Sequence, residues 1–377
     1  MTPPPAEGQA GISIIVPNYN SSRYLAQLLE SISRANKPAL PYEILVVDDS
    51  APAEAQAAET LCDLYHATFL HCPGRVGVKR NFGSQAAHYS LLLFVDSDCR
   101  MPATLLQEHA KLLAEPPEIG AMLGPVEFPG EDSFMWRAVE RSQFLGPYSF
   151  ARRMPHAPWG GAGNLAVKRA AYQAVGGFDS GFLQVPGGED VDLGLRLNDA
   201  GYRIRCNPDA LMYHTRETWQ DFRKMVRRAF GYGRAHSHIL EKHRPRTGLE
   251  FPRPVVIFLV VALWSFLSLL LTRSPRPLLW LPALSAIFLV AQSILQIRRH
   301  RRPMSPLSWL HEVTGQGLNL VYEAGLVYEL LRRGYTWQLF HKIIYAQGQL
   351  IHERDDKIVQ MWSLIFGLAA LLLGSVF

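Results

Sequence analysis

The sequence predicts an α/β domain on a mainly parallel, doubly wound sheet, followed by a helical membrane region. Over residues 11–250, apolar runs of four to seven residues alternate with helical stripes, as when crossover helices join parallel strands. Leu91–Val95 is apolar at all five positions, so that strand must be covered on both faces. Residues 254–377 hold three uncharged stretches, each close to the ~20 residues that cross a hydrocarbon core.

The elements follow in order. Ile12–Pro17 is a short buried strand ending at proline. Ser21 or Ser22 caps a helix whose stripe is Leu25, Leu28, Leu29 and Ile32, the i, i+3, i+4, i+7 spacing. Glu43–Asp48 is a second strand, residues 53–65 a helix, and Thr68–Cys72 a third strand. Gly77–His88 is a helix with a basic start, and Leu91–Val95 the fourth strand. Leu165–Lys168 is a later strand, and the helix opened by Gly187-Gly188-Glu189-Asp190 runs through Leu193, Leu195 and Leu197.

Composition narrows the function classes. Charged residues are 19% of the 377 and hydrophobic ones 48%. This excludes intrinsic disorder and collagen-like or disulfide-stapled scaffolds. The net charge is +5, but the basic residues are clustered, so no nucleic-acid partner follows. Cys62, Cys72, Cys99 and Cys206 form no C-x-x-C pair, which argues against zinc and for reduced thiols. Met1–Ala10 carries three consecutive prolines and no apolar core. It is expected to be a disordered tail rather than a signal peptide. The chain lacks G-x-G-x-x-G, G-x-x-x-x-G-K-[ST] and G-x-S-x-G, against dinucleotide oxidoreductases, P-loop ATPases and α/β-hydrolases.

Ligands of such sheets bind beyond the carboxyl ends of the strands. Those ends carry Pro17-Asn18-Tyr19-Asn20, Asp48-Asp49-Ser50 and Asp96-Ser97-Asp98. A lone aspartate there is commonly a helix cap, but several converge on one site. Mg²⁺ or Mn²⁺ takes one or two carboxylates plus phosphate oxygens, so Asp96 and Asp98 are candidate ligands. His214, ending the strand Ala210–Tyr213, is a third candidate. Gly160-Gly161-Ala162-Gly163-Asn164 is a loop that lets backbone approach a ligand closely. Glu189 and Asp190 open a helix, where acidic residues also suit the macrodipole.

These motifs, in this order over roughly residues 11–235, resemble a family 2 glycosyltransferase of the GT-A fold. The matching runs are Ser13–Asn20, Val46–Ser50, Gly77–Gly83, Phe94–Asp98, Gly163-Asn164, Gly176–Asp179 and Glu189-Asp190. The resemblance implies an inverting transfer of a sugar from a nucleotide-diphosphate donor. It implies that Pro17 and Asn20 line the nucleotide pocket and that Asp49 lies near the base or ribose. Arg80, Asn81, Gly163, Asn164 and Glu189 are expected at the nucleotide sugar. Asp98 is expected as the main metal ligand, Asp96 at the ribose or metal, and Asp190 as the catalytic base. Asp190 and Asp192 should point about 200° apart on their helix. Processive members carry Q-x-x-R-W after the base; here Arg223–Arg234 has no Trp after an Arg. That favours transfer of one sugar over polymer synthesis. Alternatives are a processive synthase that also conducts its product, or an inactive scaffold.

Pro254–Thr272, Leu278–Ile297 and Ile358–Phe377 are the expected spans. Basic residues flank the first two at Lys242, Arg244, Arg246, Arg253 and at Arg298, Arg299, Arg301, Arg302. By the positive-inside rule the catalytic domain is cytoplasmic, and the expected setting is a prokaryotic inner or plasma membrane. The acceptor is then a polyprenyl phosphate, lipid-linked saccharide or glycolipid. The expected layout is a tail over 1–10, the transferase domain over 11–245, a hairpin over 254–297 and a last span over 357–377. Residues 303–352 are expected as one or two interfacial amphipathic helices, with a fourth or re-entrant span as the alternative.

Overall fold

In a computed structural model of the chain, the apolar runs become strands β1 (Gln9–Asn18), β2 (Tyr42–Asp48), β3 (Thr68–His71) and β4 (Tyr89–Val95). Shorter strands follow: β5 (Cys99–Arg100), β6 (Ile119–Leu123), β7 (Val126–Glu127), β8 (His156–Ala157), β9 (Asn164–Lys168), β10 (Arg203–Cys206) and β11 (Met212–His214). The helices are α1 (Ser22–Ser33), α2 (Pro52–Leu64), α3 (Val76–Ala86), α4 (Leu105–Ala110), α5 (Phe134–Val139), α6 (Phe150–Arg153), α7 (Arg169–Ala174) and α8 (Glu189–Asp199). Longer ones end the chain: α9 (Phe222–Lys242), α10 (Pro254–Thr272), α11 (Trp280–Arg299) and α12 (Pro306–Arg332). The structure describes residues 9–36, 38–179, 181–182, 187–250, 253–302 and 305–345, with Met361 and Ile365.

Two compact units result: Met1–Glu131 with Leu145–Thr218, and Asp132–Phe144 with Trp219–Phe377. The first is built on an eight-stranded sheet of order β3-β2-β1-β4-β9-β6-β10-β8. β1 lies parallel between β2 and β4. β9 runs antiparallel to both β4 and β6, so the sheet is mainly, not wholly, parallel. Side chains alternate between its faces. Ile14, Val16, Leu91, Leu93 and Val95 pack with Leu25, Leu28, Leu29 and Ile32 of α1. Ile15, Leu92, Phe94, Leu165 and Val167 pack with Leu193 and Leu197 of α8. Each fully buried aliphatic contributes about 1.5–3 kcal/mol, which is why these strands carry no polar face. A second sheet, β5-β11-β7, holds His214 opposite Cys99. All four cysteines are free and buried.

Two local expectations are corrected. Gln9 and Ala10 begin β1 and are not tail; residues 1–8 lie outside the described set. Ser21 is the N-cap residue of α1 but makes no capping bond. Its Oγ donates instead to Asn18 Oδ1 at 2.7 Å and lies 3.0 Å from Ser97 Oγ, tying the first strand end to the D-x-D turn.

The second unit begins earlier than the expected boundary at 245, at Trp219, and includes residues 132–144. The reason is α12, the common partner of α5 and α9. Gln143 N donates to Asn319 Oδ1 at 3.0 Å. At the α9–α12 crossing, a Cβ on Gly233 would lie 1.8 Å from Tyr322 O, and one on Gly325 2.1 Å from Phe230 O. Only glycine lets the two backbones come that close.

α12 is one 27-residue helix, within the expected one or two. Its glutamates turn inward onto arginines. Fully buried Glu312 accepts from Arg302 at 2.6 Å and from Gln316 at 3.1 Å. Fully buried Glu329 accepts from Arg234 Nε at 2.7 Å. Glu323 accepts the Val255 N–H at 3.2 Å and lies 3.6 Å from Arg253.

α10 and the stretch Arg276–Arg299 are long and apolar enough to cross a membrane, and only 17% and 22% of their most apolar windows are buried. Leu263, Trp264, Phe266, Leu270 and Leu271 are exposed. Pro282 falls in the first turn of α11, where a missing N–H costs little, so it makes no kink. The expected third span lies, apart from Met361 and Ile365, outside the described residues.

Candidate active site

The strand ends of the first unit are joined by a buried polar lattice. Asn18 Nδ2 donates to Asp48 Oδ1 at 2.7 Å, and Asp48 also accepts from Ser50 N and Oγ at 2.8 and 2.6 Å. Asp48 is therefore saturated and structural. Pro17 is buried within β1, beside Val47 in register; the residues that emerge are Tyr19 and Asn20. Asn20 has φ 46° and is held by Ser50 and Ala51. Asp49 accepts the Gly74 N–H at 3.0 Å and pairs with Lys79. Lys79 also donates to Asn18 O at 2.5 Å and lies 5.2 Å from the Tyr19 ring centre.

Arg80 is the central cation. It is 4% exposed and donates to Asp96 and to Glu189, each at 2.8 Å. It thus binds the end of β4 to the start of α8. The other Asp96 oxygen would lie 2.7 Å from a Cβ on Gly163, so only glycine lets that loop lie against the carboxylate. Asn81 does not reach toward a ligand. Its Oδ1 accepts from Tyr172 at 2.5 Å and Phe178 N at 2.9 Å, and its Nδ2 donates to Phe178 O at 2.8 Å. Asn164 is likewise used internally and fully buried, on His109, Pro125 O and Ala210 O at 2.8, 3.0 and 2.7 Å. Both amides hold the scaffold, each using three of its four hydrogen-bonding positions.

Among the described residues, Asp98, Cys99 and His214 form a group with ligand atoms within 4.8 Å of one another. Asp96 is not in it, because Arg80 holds it elsewhere. His214 Nε2 lies 3.2 Å from Asp98 Oδ1, while its Nδ1 hydrogen goes to Thr215 O at 2.8 Å. That second bond presents Nε2 to a cation. Burial opposes charge on both side chains, and their pairing overrides it: Asp98 lies below the usual carboxylate range and His214 above its usual value. Burial and the neighbouring Asp98 push the Cys99 thiol well up, so it stays neutral. Asp98 and His214 fit a divalent metal.

α8 starts after Gly188, whose φ of 89° is left-handed. Asp192 is fully buried and paired with Arg196 through Nε at 2.8 Å and NH2 at 2.7 Å. Asp190, on the other side of the helix, has no ion pair among the described residues. One of its oxygens accepts the Val191 N–H at 2.8 Å; the other would lie 4.0 Å from a Cβ on Gly161, in a gap also bounded by Tyr148. Burial, then the charge of Glu189, push the Asp190 carboxyl up to about 7.

Residues 13–176 match the family model described as glycosyl transferase family 2. This match lies on the segment that carries the strand-end motifs. A model described as the N-terminal domain of galactosyltransferase matches residues 147–218, the stretch with Gly161, Asp190 and His214. The chain has a mainly parallel, GT-A-like α/β fold. It is 27% identical over 258 residues to the pre-mycofactocin glycosyltransferase of Mycobacterium tuberculosis, covering 65% of this chain and 51% of that one. It is 29% identical over 181 residues to the succinoglycan biosynthesis protein ExoA of Rhizobium meliloti, covering 46% and 49%. The chain thus spans about half the length of these relatives. The mannosyltransferase PcManGT of Pyrobaculum calidifontis, solved with GDP-Man and Mn²⁺, aligns at 16% identity and TM-score 0.47 over 98% of this chain and 88% of that one.

Two residues of this site escaped sequence reasoning. Lys79 stands inside the quoted Gly77–Gly83 run, and its position next to Arg80 was the available signal. Tyr148 has no motif around it; only folding brings it to Gly161.

Proposed function

We propose that this chain transfers a single sugar, with inversion, from a nucleotide-diphosphate donor to a lipid-borne acceptor at a membrane surface. One observation carries the chemistry. The neighbouring carboxylates have partners: Asp48 has Asn18 and Ser50, Asp49 has Lys79, Asp96 and Glu189 share Arg80, Asp98 has His214 and Asp192 has Arg196. Asp190 has no side-chain partner among the described residues, and its raised affinity for a proton suits a general base near neutral pH. An inverting displacement needs one such base and no covalent nucleophile. Asp190 would take the acceptor hydroxyl proton, with Tyr148 and Gly161 bounding the acceptor space. Tyr19 and Asn20, at the mouth above Lys79, would meet the nucleotide. A divalent cation held by Asp98 and His214 would neutralise charge on the leaving diphosphate. The exposed apolar faces of α10 and α11 support the membrane acceptor, with the basic flanks and the catalytic unit on the cytoplasmic side.

The metal assignment is tested by Asp98→Ala and by EDTA, reading release of nucleotide diphosphate. Each should lower turnover by about 10²-fold or more, as when a group facing developing charge is removed, and weaken donor binding. Full turnover in EDTA would remove the metal from the scheme.

A further inference from the structure

The second unit contains a cavity of about 360 Å³ that sugar transfer leaves unused, lined in part by Arg244, Tyr335, Trp337, Gln338 and His341. Its volume is in the range of small-ligand sites, roughly 300–1,000 Å³. Its charge is unbalanced. Arg333 lies over the Tyr335 ring but is neutralised by Glu241 at 2.6 Å. Arg244 lies 6.0 Å from the same ring centre and pairs with no carboxylate among the described residues. The cavity also leaves a buried polar group unsatisfied. Gln338 is 5% exposed, and its side-chain Oε1 has no partner. The amide orientation is interchangeable, so the vacant position serves a ligand acceptor or donor. His341 gives its Nδ1 hydrogen to Trp337 O at 3.0 Å, which leaves Nε2 for another contact. A cation and an amide around one space are donors for phosphate oxygens, and the imidazole Nε2 can accept from a protonated phosphate.

Position narrows the class of ligand. Arg253, the residue before α10, donates through Nε to Leu339 O at 3.0 Å and through NH2 to His341 O at 2.7 Å. The cavity wall is thereby fastened to the point where the first apolar helix begins. A small sheet, β12 (Thr247–Leu249) with β13 (His341–Ile343), runs beside it. Leu249 and Trp337 are 73% and 72% exposed there, and tryptophan favours a membrane interface. We propose that this cavity binds the phosphate head of a membrane lipid. The inference rests on the membrane reading of α10.

The test uses the full-length chain in dodecyl maltoside, a detergent without phosphate. Phosphatidylglycerol, a polyprenyl phosphate or inorganic phosphate is titrated in, and bound ligand is counted by native mass spectrometry. The expected result is one retained lipid, with Arg244→Gln binding roughly tenfold more weakly or worse. Gln338→Glu, which places a carboxylate in the cavity, should also lose it, with unchanged thermal melting as the check on folding. Retention of polyprenyl phosphate alone identifies the carrier lipid as the source, and retention of both lipids identifies the headgroup phosphate of either. Inorganic phosphate held as tightly as the lipids would overturn the assignment to a lipid. Wild-type retention by both variants would overturn the cavity as the site. Release of the chain from vesicles by alkaline carbonate would overturn the membrane reading and this inference together. A chain that stays inserted while both variants bind normally sinks the cavity alone.

Discussion

Replacing Asp190 by Asn should slow sugar transfer by about 10²–10⁴-fold, the usual contribution of general base catalysis, while donor affinity changes little. The amide keeps the shape of the carboxylate and removes its basicity. The pH profile gives an independent check. Asp190 acts as a base only when ionised, so turnover should rise through about pH 7 and fall below it. The same group affects stability with a definite sign. Its folded value lies above the ordinary carboxylate value of 3.8. The native state therefore holds more protons than the unfolded one between about pH 4 and 7, and stability falls as pH rises through that window. Asp190→Asn should flatten this slope and raise the melting temperature at pH 8 while activity is lost. Asp192→Asn should do the reverse: it breaks the buried pair with Arg196, lowers stability and leaves the pH profile of turnover in place. Near-normal transfer by Asp190→Asn would show that another group is the base.

Replacing Arg80 by Met should destabilise the first unit by about 3–5 kcal/mol, the usual effect of removing one partner from a buried ion pair. The side chain fits, but Asp96 and Glu189 would face each other without the cation that now bridges them at 2.8 Å on each side. Arg80→Lys should recover only part of the loss, because a single ammonium cannot span both carboxylates as a planar guanidinium does. The double variant Arg80→Met with Glu189→Gln should recover more, since one of the stranded charges is gone. Urea midpoints measured at pH 7 decide this. Arg80→Met should also push the Asp190 carboxyl further up, because Arg80 is the cation that now lowers it. A variant with a wild-type urea midpoint would show that the bridge contributes nothing to stability.

Much of this was legible because it is local or periodic. β1, β2 and β4 carry runs of buried apolar residues, and both faces of the sheet are covered there. The phase of α8 was readable from its 100° per residue, and Asp192 does turn away, onto Arg196. The site amides were not legible. Asn164 finds its three partners 39, 46 and 55 positions away in the chain, and nothing near it in sequence points to them. Asn81 closes on a turn 97 positions on, and the D-x-D pair looks symmetric until Arg80 takes Asp96 and His214 takes Asp98.

The sequence by itself determined the fold class, the family motifs and the two apolar helices α10 and α11, because hydrophobic period, strand-end chemistry and span length are properties of short segments. Only the tertiary structure decided which site carboxylate lacks a side-chain partner. It also decided that α12 buries its glutamates against arginines instead of presenting them to water, and that residues 132–144 and α9 belong with α12. Each of these depends on which charge or backbone lies opposite in space. A buried charge takes whichever counter-charge the fold brings to it, from 16 or 109 positions away in the case of Arg80.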